Sequence, residues 1–184
     1  MFGDEAYRDT FAYCVIFPIG SLRDFNETTR LVEEINLFDD ILQGDYLDSY
    51  RNLTMKTLSA LRFAAVAYPK VDSILKIDDD VAWNVPLVTN YIKSRVLPNS
   101  ISYVTYDEYP GESYPEYCFG VAYVLHRTAV LPMLSVLPQM KYFWIDDVFV
   151  TGFMARAATV SLIEINQYTE LKPILRDISQ KDIL

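Results

Sequence analysis

The sequence predicts an α/β domain with a largely parallel sheet, and three observations support this prediction. Short β-rich runs alternate along the chain with segments whose apolar residues recur at helical intervals. The 184 residues are 51% hydrophobic, which is enough for one core of useful size. No internal repeat, low-complexity tract or linker divides the sequence, so residues 1–184 are expected to form a single domain.

The first half of the chain alternates between strand and helix patterns. Residues 11–19 (FAYCVIFPI) are β-rich, and residues 27–37 carry apolar side chains at helical spacing. Residues 39–47 contain a short apolar pair and a Gly-Asp turn. Residues 52–68 have the strongest helix pattern of the chain, and Pro69 ends it.

The second half continues this alternation. Residues 72–77 (DSILKI) predict a buried strand that ends at three consecutive aspartates. The later predicted elements are, in order, a helix at 86–95, strands at 101–106 and 121–125, helices at 128–137 and 148–158, and a strand at 160–163. Ligands of parallel α/β sheets usually bind at the carboxyl ends of the strands, so the segments that follow strands are the first places to seek a site.

The charge balance restricts the class of partner. The chain has 16 Lys+Arg against 25 Asp+Glu, a net charge of −9, and a pI near 4.5. Nucleic acids are held by stripes of Lys and Arg, and none occurs here, so nucleic acid is not expected as a partner. An acidic chain suits cations, although a solvated acidic surface explains the same balance.

The sequence pattern predicts neither a membrane-spanning segment nor a signal peptide. No apolar run approaches the roughly 18 residues that span a bilayer. The Met1 end carries Asp4, Glu5 and Asp9 instead of the basic and then apolar order of a signal peptide. As written, the chain is expected to be soluble, and a lumenal location would need a segment that it lacks.

Cysteines and glycosylation sequons bear on the compartment. Cys14 and Cys118 permit one disulfide, and two buried thiols account for them equally well. Sequons begin at Asn26 and Asn52, which slightly favours the secretory pathway. Asn52 is expected to be structural, because the start of the predicted helix would bury it.

Three adjacent carboxylates, Asp78, Asp79 and Asp80, follow the strand at 72–77. Their mutual repulsion is relieved when a divalent cation lies among them, and hard oxygen ligands suit Mg²⁺ or Mn²⁺. An exposed acidic turn, or the cap of the following helix, is the alternative. Their position at a strand end favours the cation site.

A second acidic pair, Asp146 and Asp147, precedes the helix at 148–158. Capping of the helix explains carboxylates at this place. A carboxylate at the mouth of a pocket is also suited to be a general base that takes a proton from a sugar hydroxyl. His126 is the only histidine, so a Ser-His-Asp triad or a multi-histidine zinc site is nearly excluded.

Four motifs together resemble the domain of glycosyltransferase family 31, the β-1,3-galactosyltransferases and β-1,3-N-acetylglucosaminyltransferases. They are DSYRNLTMKT at 48–57, LKIDDDV at 75–81 with Asn84, YPEYCFG at 114–120 leading into YVL, and DDV at 146–148. The family patterns run roughly DSYxNLTLKT, KxDDDVFVN, YPxYCSGxGYV and EDVxxG. The resemblance covers about residues 11–152, and order and spacing make it specific. It implies a GT-A-like fold, with a Rossmann-like sheet flanked by helices, usually in a Golgi-lumenal type II membrane protein.

The resemblance implies a donor side for the site. The matching aspartates hold Mn²⁺ and the UDP-sugar, so Asp80 and Asp78 are expected metal ligands, with Mg²⁺ as the other candidate ion. Asp78, Asp79 and Lys56 are the expected donor-binding residues. Lys56 matches the family lysine and would pair with a donor phosphate or with the acidic cluster, and surface solvation is its alternative.

The resemblance also implies an acceptor side. Asp147 matches the second acid of the family's EDV pattern and would deprotonate the acceptor hydroxyl for in-line attack with inversion. Asp146, Tyr117 and Gly120 are the expected acceptor-binding residues. Tyr106, Tyr109 and Tyr114 join Tyr117 as rings that either stack on a sugar or simply pack. The implied function is transfer of galactose or N-acetylhexosamine from a UDP-sugar to a glycan hydroxyl, on a glycoprotein or glycolipid, in β-1,3 linkage.

Departures from the family pattern keep other functions open. Ala122 replaces a usual Gly, Tyr68 stands where many relatives carry a Cys, and no histidine follows His126. The family's early basic and Trp-containing motif, its N-terminal membrane anchor and its C-terminal end are expected to be missing. The main alternative is an inactive glycosyltransferase-like binding module. Phosphoryl transfer at the aspartate triplet is the third reading, without a GxxxxGK[ST] loop to support it.

Overall fold

The computed structural model describes residues 5–78 and 113–163. In the first range, helix α1 (Glu5–Phe11) leads to strand β1 (Phe17–Ser21), helix α2 (Phe25–Phe38) and strand β2 (Ile41–Leu47). A 3₁₀ turn (Tyr50–Asn52), helix α3 (Leu53–Ala67) and strand β3 (Ser73–Ile77) follow. The second range contains β4 (Ala122–His126), α4 (Arg127–Val136), a 3₁₀ turn (Leu137–Gln139), a π-helix (Val148–Met154) and the single turn α5 (Ala155–Ala157).

Local chemistry explains the bounds of α2. The Asp24 side chain accepts the backbone N–H groups of Asn26 at 2.8 Å and Glu27 at 3.0 Å, which satisfies two free donors of the first turn. At the other end Asp39 adopts a left-handed conformation with φ of 53°, and its N–H donates to Ile35 O. The helix predicted at 27–37 is confirmed.

The described residues form two separate two-stranded sheets. β1 and β2 pair in parallel, with Phe17 opposite Ile41, and α2 connects them. β3 and β4 pair antiparallel, with Ser73 opposite His126. The predicted α/β class holds, but the described residues form one parallel and one antiparallel pair instead of a largely parallel sheet.

Two local predictions at 11–19 and 39–47 need correction. Residues 11–19 do not form one strand, because α1 extends to Phe11 and Ala12 follows it with φ of 52°, so β1 begins only at Phe17. The Gly-Asp turn predicted within residues 39–47 is absent, because Gly44 and Asp45 lie inside β2, whose pairing with β1 supplies the hydrogen bonds of the backbone.

The later elements agree better with their predictions. The helix at 52–68, the strand at 72–77, the strand at 121–125 and the helix at 128–137 all have counterparts in the structure. The helix at 148–158 is present but is wound mainly as a π-helix. Residues 160–163 form no strand, because the Val160 N–H closes the preceding helix by donating to Ala155 O at 2.8 Å. The predictions at 86–95 and 101–106 lie outside the described residues.

The core packs around the π-helix. Met133, Val148, Val150 and Met154 are completely buried. Side chains of α3 and β4, such as Leu61 and Tyr123, belong to the same hydrophobic cluster. Because the acidic pair directly precedes this buried helix, the core fixes the position of the candidate base.

The two cysteines are not bonded to each other. Cys14 is exposed and Cys118 is buried, and both are free thiols. The disulfide that the sequence left open between them is therefore absent. Among the helices of the described ranges, none has the length and apolar character needed to cross a membrane.

Candidate active site

Asp147 lies in the first turn of the buried helix around which the core packs. This turn starts where the Phe149 N–H donates to Ile145 O at 2.9 Å. Asp147 Oδ1 accepts the Val148 N–H at 2.8 Å, so one carboxylate oxygen caps the helix, as the local sequence suggested. Asp147 is only 5% exposed.

The second oxygen of Asp147 contacts the segment that leads into β4. The Gly120 N–H donates to Asp147 Oδ2 at 3.0 Å. A Cβ atom at position 120 would lie 3.1 Å from the same oxygen. The φ angle of Gly120 is not in the left-handed region, so the backbone does not require glycine there. Gly120 thus leaves a space of about one methyl group beside Asp147 Oδ2.

Several groups act on the proton affinity of Asp147. Burial raises its pKa, and the negative charge of Asp146 raises it further. The N–H groups of Val148 and Gly120 and the ammonium of Lys76 lower it, and the net effect is a pKa above the ordinary value. A carboxylate of this kind holds a proton more strongly than an exposed aspartate, which suits a general base.

Asp146 is tied to α3 and is turned away from solvent. It is 8% exposed, and its Oδ2 accepts the Thr57 hydroxyl at 2.8 Å. One turn earlier on α3, the Thr54 hydroxyl donates to Phe143 O at 2.7 Å. These two bonds fasten the segment that precedes Asp147 to α3. One carboxylate oxygen of Asp146 is therefore used in a structural bond to α3, and its expected role in acceptor binding stays a prediction.

Lys76 connects the aspartate triplet to the segment of Gly120. Its Nζ donates to Asp78 Oδ1 and, at 2.6 Å, to Gly120 O. The Asp78 N–H donates to Val121 O at 3.0 Å. Gly120 thus bonds to Lys76 through its carbonyl and to Asp147 through its N–H. The end of β3 and the start of the buried helix meet at this glycine.

Lys56 lies at a different place. Its Nζ donates to Asp48 Oδ1 at 3.0 Å, and Asp48 Oδ2 accepts the Gly20 N–H at 2.7 Å. Burial pushes the pKa of Asp48 up, but the bonds from Gly20 and Lys56 outweigh it, and the pKa lies below its ordinary value. The ammonium of Lys56 thus joins α3 to the ends of β1 and β2.

Two of the four candidate acceptor-side tyrosines, Tyr114 and Tyr117, lie among the described residues. Tyr117 is 6% exposed, and its ring packs edge-on against Tyr114 with 6.1 Å between centroids. The Tyr117 ring is therefore packed in the interior, which is the arrangement that the alternative for these aromatic residues describes, and its role in acceptor binding stays a prediction. Tyr106 and Tyr109 lie outside the described residues.

Only part of the expected metal site is described. Asp79 and Asp80 lie outside the described residues, whereas Asp78 has a side chain that is 41% exposed. Within ranges 5–78 and 113–163, no three His, Cys, Asp or Glu side chains form a group that would hold a metal.

Sequence reasoning missed the roles of Lys76, Thr54 and Thr57. Lys76 stands two residues before Asp78, so strand alternation places both side chains on one face and was a usable signal. The threonines are three residues apart on one helix face, but their acceptors are 89 residues further along the chain. Nothing local in the sequence pointed to those acceptors.

The described part of the site thus consists of a buried carboxylate, Asp147, that is connected through Gly120 and Lys76 to the strand-end aspartate Asp78. Comparison with known proteins identifies the group to which this domain belongs. The family model described as galactosyltransferase matches residues 3–102 and 97–166. The chain therefore belongs to this family, which confirms the family resemblance of the four motifs.

Individual relatives agree with this membership. The chain is 32% identical over 154 residues to human N-acetyllactosaminide beta-1,3-N-acetylglucosaminyltransferase 4, covering 74% of this chain and 41% of the relative. It is 27% identical over 175 residues to beta-1,3-galactosyltransferase 5 of Pan paniscus, covering 85% and 58%. It is 30% identical over 140 residues to UDP-GalNAc:beta-1,3-N-acetylgalactosaminyltransferase 1 of Sus scrofa, covering 65% and 42%. The chain spans between two fifths and three fifths of the length of these relatives.

Proposed function

We propose that this chain is the catalytic region of an inverting, metal-dependent hexosyltransferase. It would move galactose or an N-acetylhexosamine from a UDP-sugar to a glycan hydroxyl on a glycoprotein or glycolipid, forming a β-1,3 linkage. Family membership and the names of the relatives support this class of reaction. A GT-A-type fold and a Golgi-lumenal location belong to the same proposal, and the resemblance of the motifs supports both.

The observation that carries the proposal is the surroundings of Asp147 Oδ2. One lone pair of this oxygen accepts the Gly120 N–H, which leaves acceptor capacity for a second donor. Because Gly120 has no side chain, this side of the oxygen is unobstructed, whereas a Cβ atom there would lie 3.1 Å from it. A hydroxyl group hydrogen-bonds to a carboxylate at about 2.5–2.7 Å, so an acceptor hydroxyl would approach Oδ2 from this side.

The proposed step follows from this placement. The acceptor hydroxyl oxygen attacks the anomeric carbon of the donor sugar and forms the new C–O bond. The bond from that carbon to the UDP oxygen breaks, and its electron pair leaves with the diphosphate. Asp147 takes the hydroxyl proton as the attack proceeds. Attack opposite the departing UDP inverts the configuration at the anomeric carbon.

The strand-end aspartates form the donor side of the proposal. Asp78 and Asp80 would hold Mn²⁺ or Mg²⁺, and the exposed carboxylate of Asp78 is a hard oxygen donor of the kind these ions prefer. When bound, the ion neutralises charge on the departing diphosphate. Asp79 would contact the donor. Lys56 would reach a donor phosphate only by sharing its charge with Asp48.

The test is a donor screen with the purified protein. UDP-galactose, UDP-N-acetylglucosamine and UDP-N-acetylgalactosamine are incubated with Mn²⁺ and β-linked galactose or N-acetylglucosamine acceptors. We expect transfer from one donor, and loss of at least about a hundredfold in rate for Asp147→Asn, because the general base is removed. Asp72→Asn makes the same charge change at an exposed position before β3 and should retain activity.

Two results distinguish the proposal from its alternatives. A binding module would show a higher melting temperature with UDP and Mn²⁺ but no transfer to any acceptor. Equal rates for Asp147→Asn and wild type would remove the base assignment. Equal activity and equal Mn²⁺ dependence of Asp80→Ala would remove the metal assignment.

A further inference from the structure

The hydroxyl of Thr151 lies at the centre of a small buried network in the π-helix. Thr151 is 1% exposed. Its Oγ1 lies 2.6 Å from Asp147 O, 2.7 Å from Cys118 N and 3.3 Å from Cys118 O. The hydroxyl has one proton, and the shortest of the three contacts shows that it donates this proton to Asp147 O. It then accepts the Cys118 N–H.

This network attaches one segment to the helix at two points. Thr151 holds the backbone at Cys118, and Asp147 Oδ2 accepts the N–H of Gly120 two residues later. Cys118 is buried, so no solvent replaces the hydroxyl as partner of its N–H. Removing the hydroxyl would free the segment that carries Gly120, and the contact between Gly120 and Asp147 would loosen with it.

The position of Thr151 on the helix and the chemistry of its side chain both suit it to this contact. Asp147 and Thr151 are four residues apart, so their positions lie on one face of the helix, towards the segment of Cys118 and Gly120. Serine supplies the same hydroxyl, whereas valine has nearly the shape of threonine and no hydrogen-bonding group.

We propose that Thr151 is a positioning residue for the candidate base: its hydroxyl holds the segment 118–120 so that the Gly120 N–H and the space beside it face Asp147 Oδ2. The inference rests on the proposed function of Asp147, and it adds a residue that the sequence motifs did not assign. A displacement of about 1 Å between a reacting group and its substrate costs on the order of a hundredfold in rate.

The variants are Thr151→Val and Thr151→Ser, with Ser59→Ala as the control. The Ser59 hydroxyl also donates to a backbone carbonyl three residues earlier on its own helix, Lys56 O at 2.8 Å, but it lies on α3 and not on the segments that hold Asp147. For Thr151→Val we expect kcat to fall by about tenfold to a hundredfold, with the KM for the UDP-sugar within about twofold of wild type. Thr151→Ser should restore most of kcat. Ser59→Ala should leave kcat within about twofold of wild type, whatever its effect on the melting temperature.

A second measurement tests the hydrogen bonds around Thr151 independently of enzymatic activity. Amide hydrogen exchange at Cys118 and Gly120 should be at least about tenfold faster in Thr151→Val than in wild type and in Ser59→Ala, because both N–H groups lose protection. If kcat and exchange in Thr151→Val match those of Ser59→Ala, while Asp147→Asn is inactive, the inference is overturned and the proposed function stands. If wild type transfers no sugar, or Asp147→Asn is fully active, the proposed function is overturned, and the role of Thr151 in catalysis with it.

Discussion

Gly120 and Asp147 are 27 residues apart in the chain, and the backbone N–H of the first donates to the carboxylate of the second at 3.0 Å. The bond joins the segment before β4 to the first turn of the buried helix. It orients Oδ2 of the candidate base and leaves a space beside it that only glycine provides. A site at this point therefore requires that the two segments keep their positions relative to each other.

Replacing Gly120 by alanine tests this relationship. The new Cβ would lie 3.1 Å from Asp147 Oδ2 and 3.4 Å from its Cγ, so the carboxylate has to move and the open space is filled. We expect kcat to fall by about tenfold to a hundredfold, measured with the donor that wild type uses. Gly44→Ala is the control, because its Cβ meets the Tyr46 ring in β2, and it should cost stability without a comparable loss of kcat. Unchanged kcat in Gly120→Ala would contradict the proposed space.

The pH dependence of transfer should report Asp147. A general base acts only when deprotonated, so kcat/KM should fall as the pH drops through its pKa. Burial places that pKa above the ordinary value of 3.8, so the fall should begin at a higher pH than for an exposed aspartate. Asp146→Asn removes the neighbouring charge that raises this pKa, so the acid limb should move to lower pH. The Asn side chain can still accept the Thr57 hydroxyl. A profile that does not change in Asp146→Asn would contradict this electrostatic coupling.

The two thiols should differ strongly in reactivity. Cys14 is exposed, whereas burial raises the pKa of Cys118 to about 11, and the thiolate is the reactive form. A thiol reagent at neutral pH should modify one cysteine rapidly in the native protein and two after denaturation. Cys14→Ser should show no rapid reaction. Titration of no free thiol in the denatured, unreduced protein would reveal a disulfide and contradict the structure.

Removing the hydroxyl of Tyr123 should stabilise the fold. The hydroxyl is buried, has no hydrogen-bond partner among the described residues and is near the carboxylates of Asp146 and Asp147. Loss of an unpaired buried polar group gains up to about 1–3 kcal/mol, so Tyr123→Phe should raise the urea midpoint. The Tyr142 hydroxyl donates to Arg51 O at 2.8 Å, so Tyr142→Phe is the control and should lower it. A loss in Tyr123→Phe as large as in the control would contradict this prediction.

Local patterns in the sequence were sufficient for several elements. Apolar spacing predicted α2 and α3, and Pro69 correctly marked the end of α3. The strand before Asp78 and the helix after Asp147 were predicted in the same way. These features depend on interactions between neighbours in the chain, namely capping, side-chain periodicity and the missing N–H of proline. The four motifs added the family, which their order and spacing made specific.

The sequence by itself thus predicted which residues would carry the chemistry, chiefly Asp78 and Asp147, and indicated the family, which the family model confirms. Only the tertiary structure decided what holds them: Lys76 bonds to Gly120 across 44 residues, and Thr57 bonds to Asp146 across 89. It also buried Asp146 and Tyr117 and paired Lys56 with Asp48. The physical reason is that such bonds form only after distant elements pack on a common core, and local propensity carries no information about that packing.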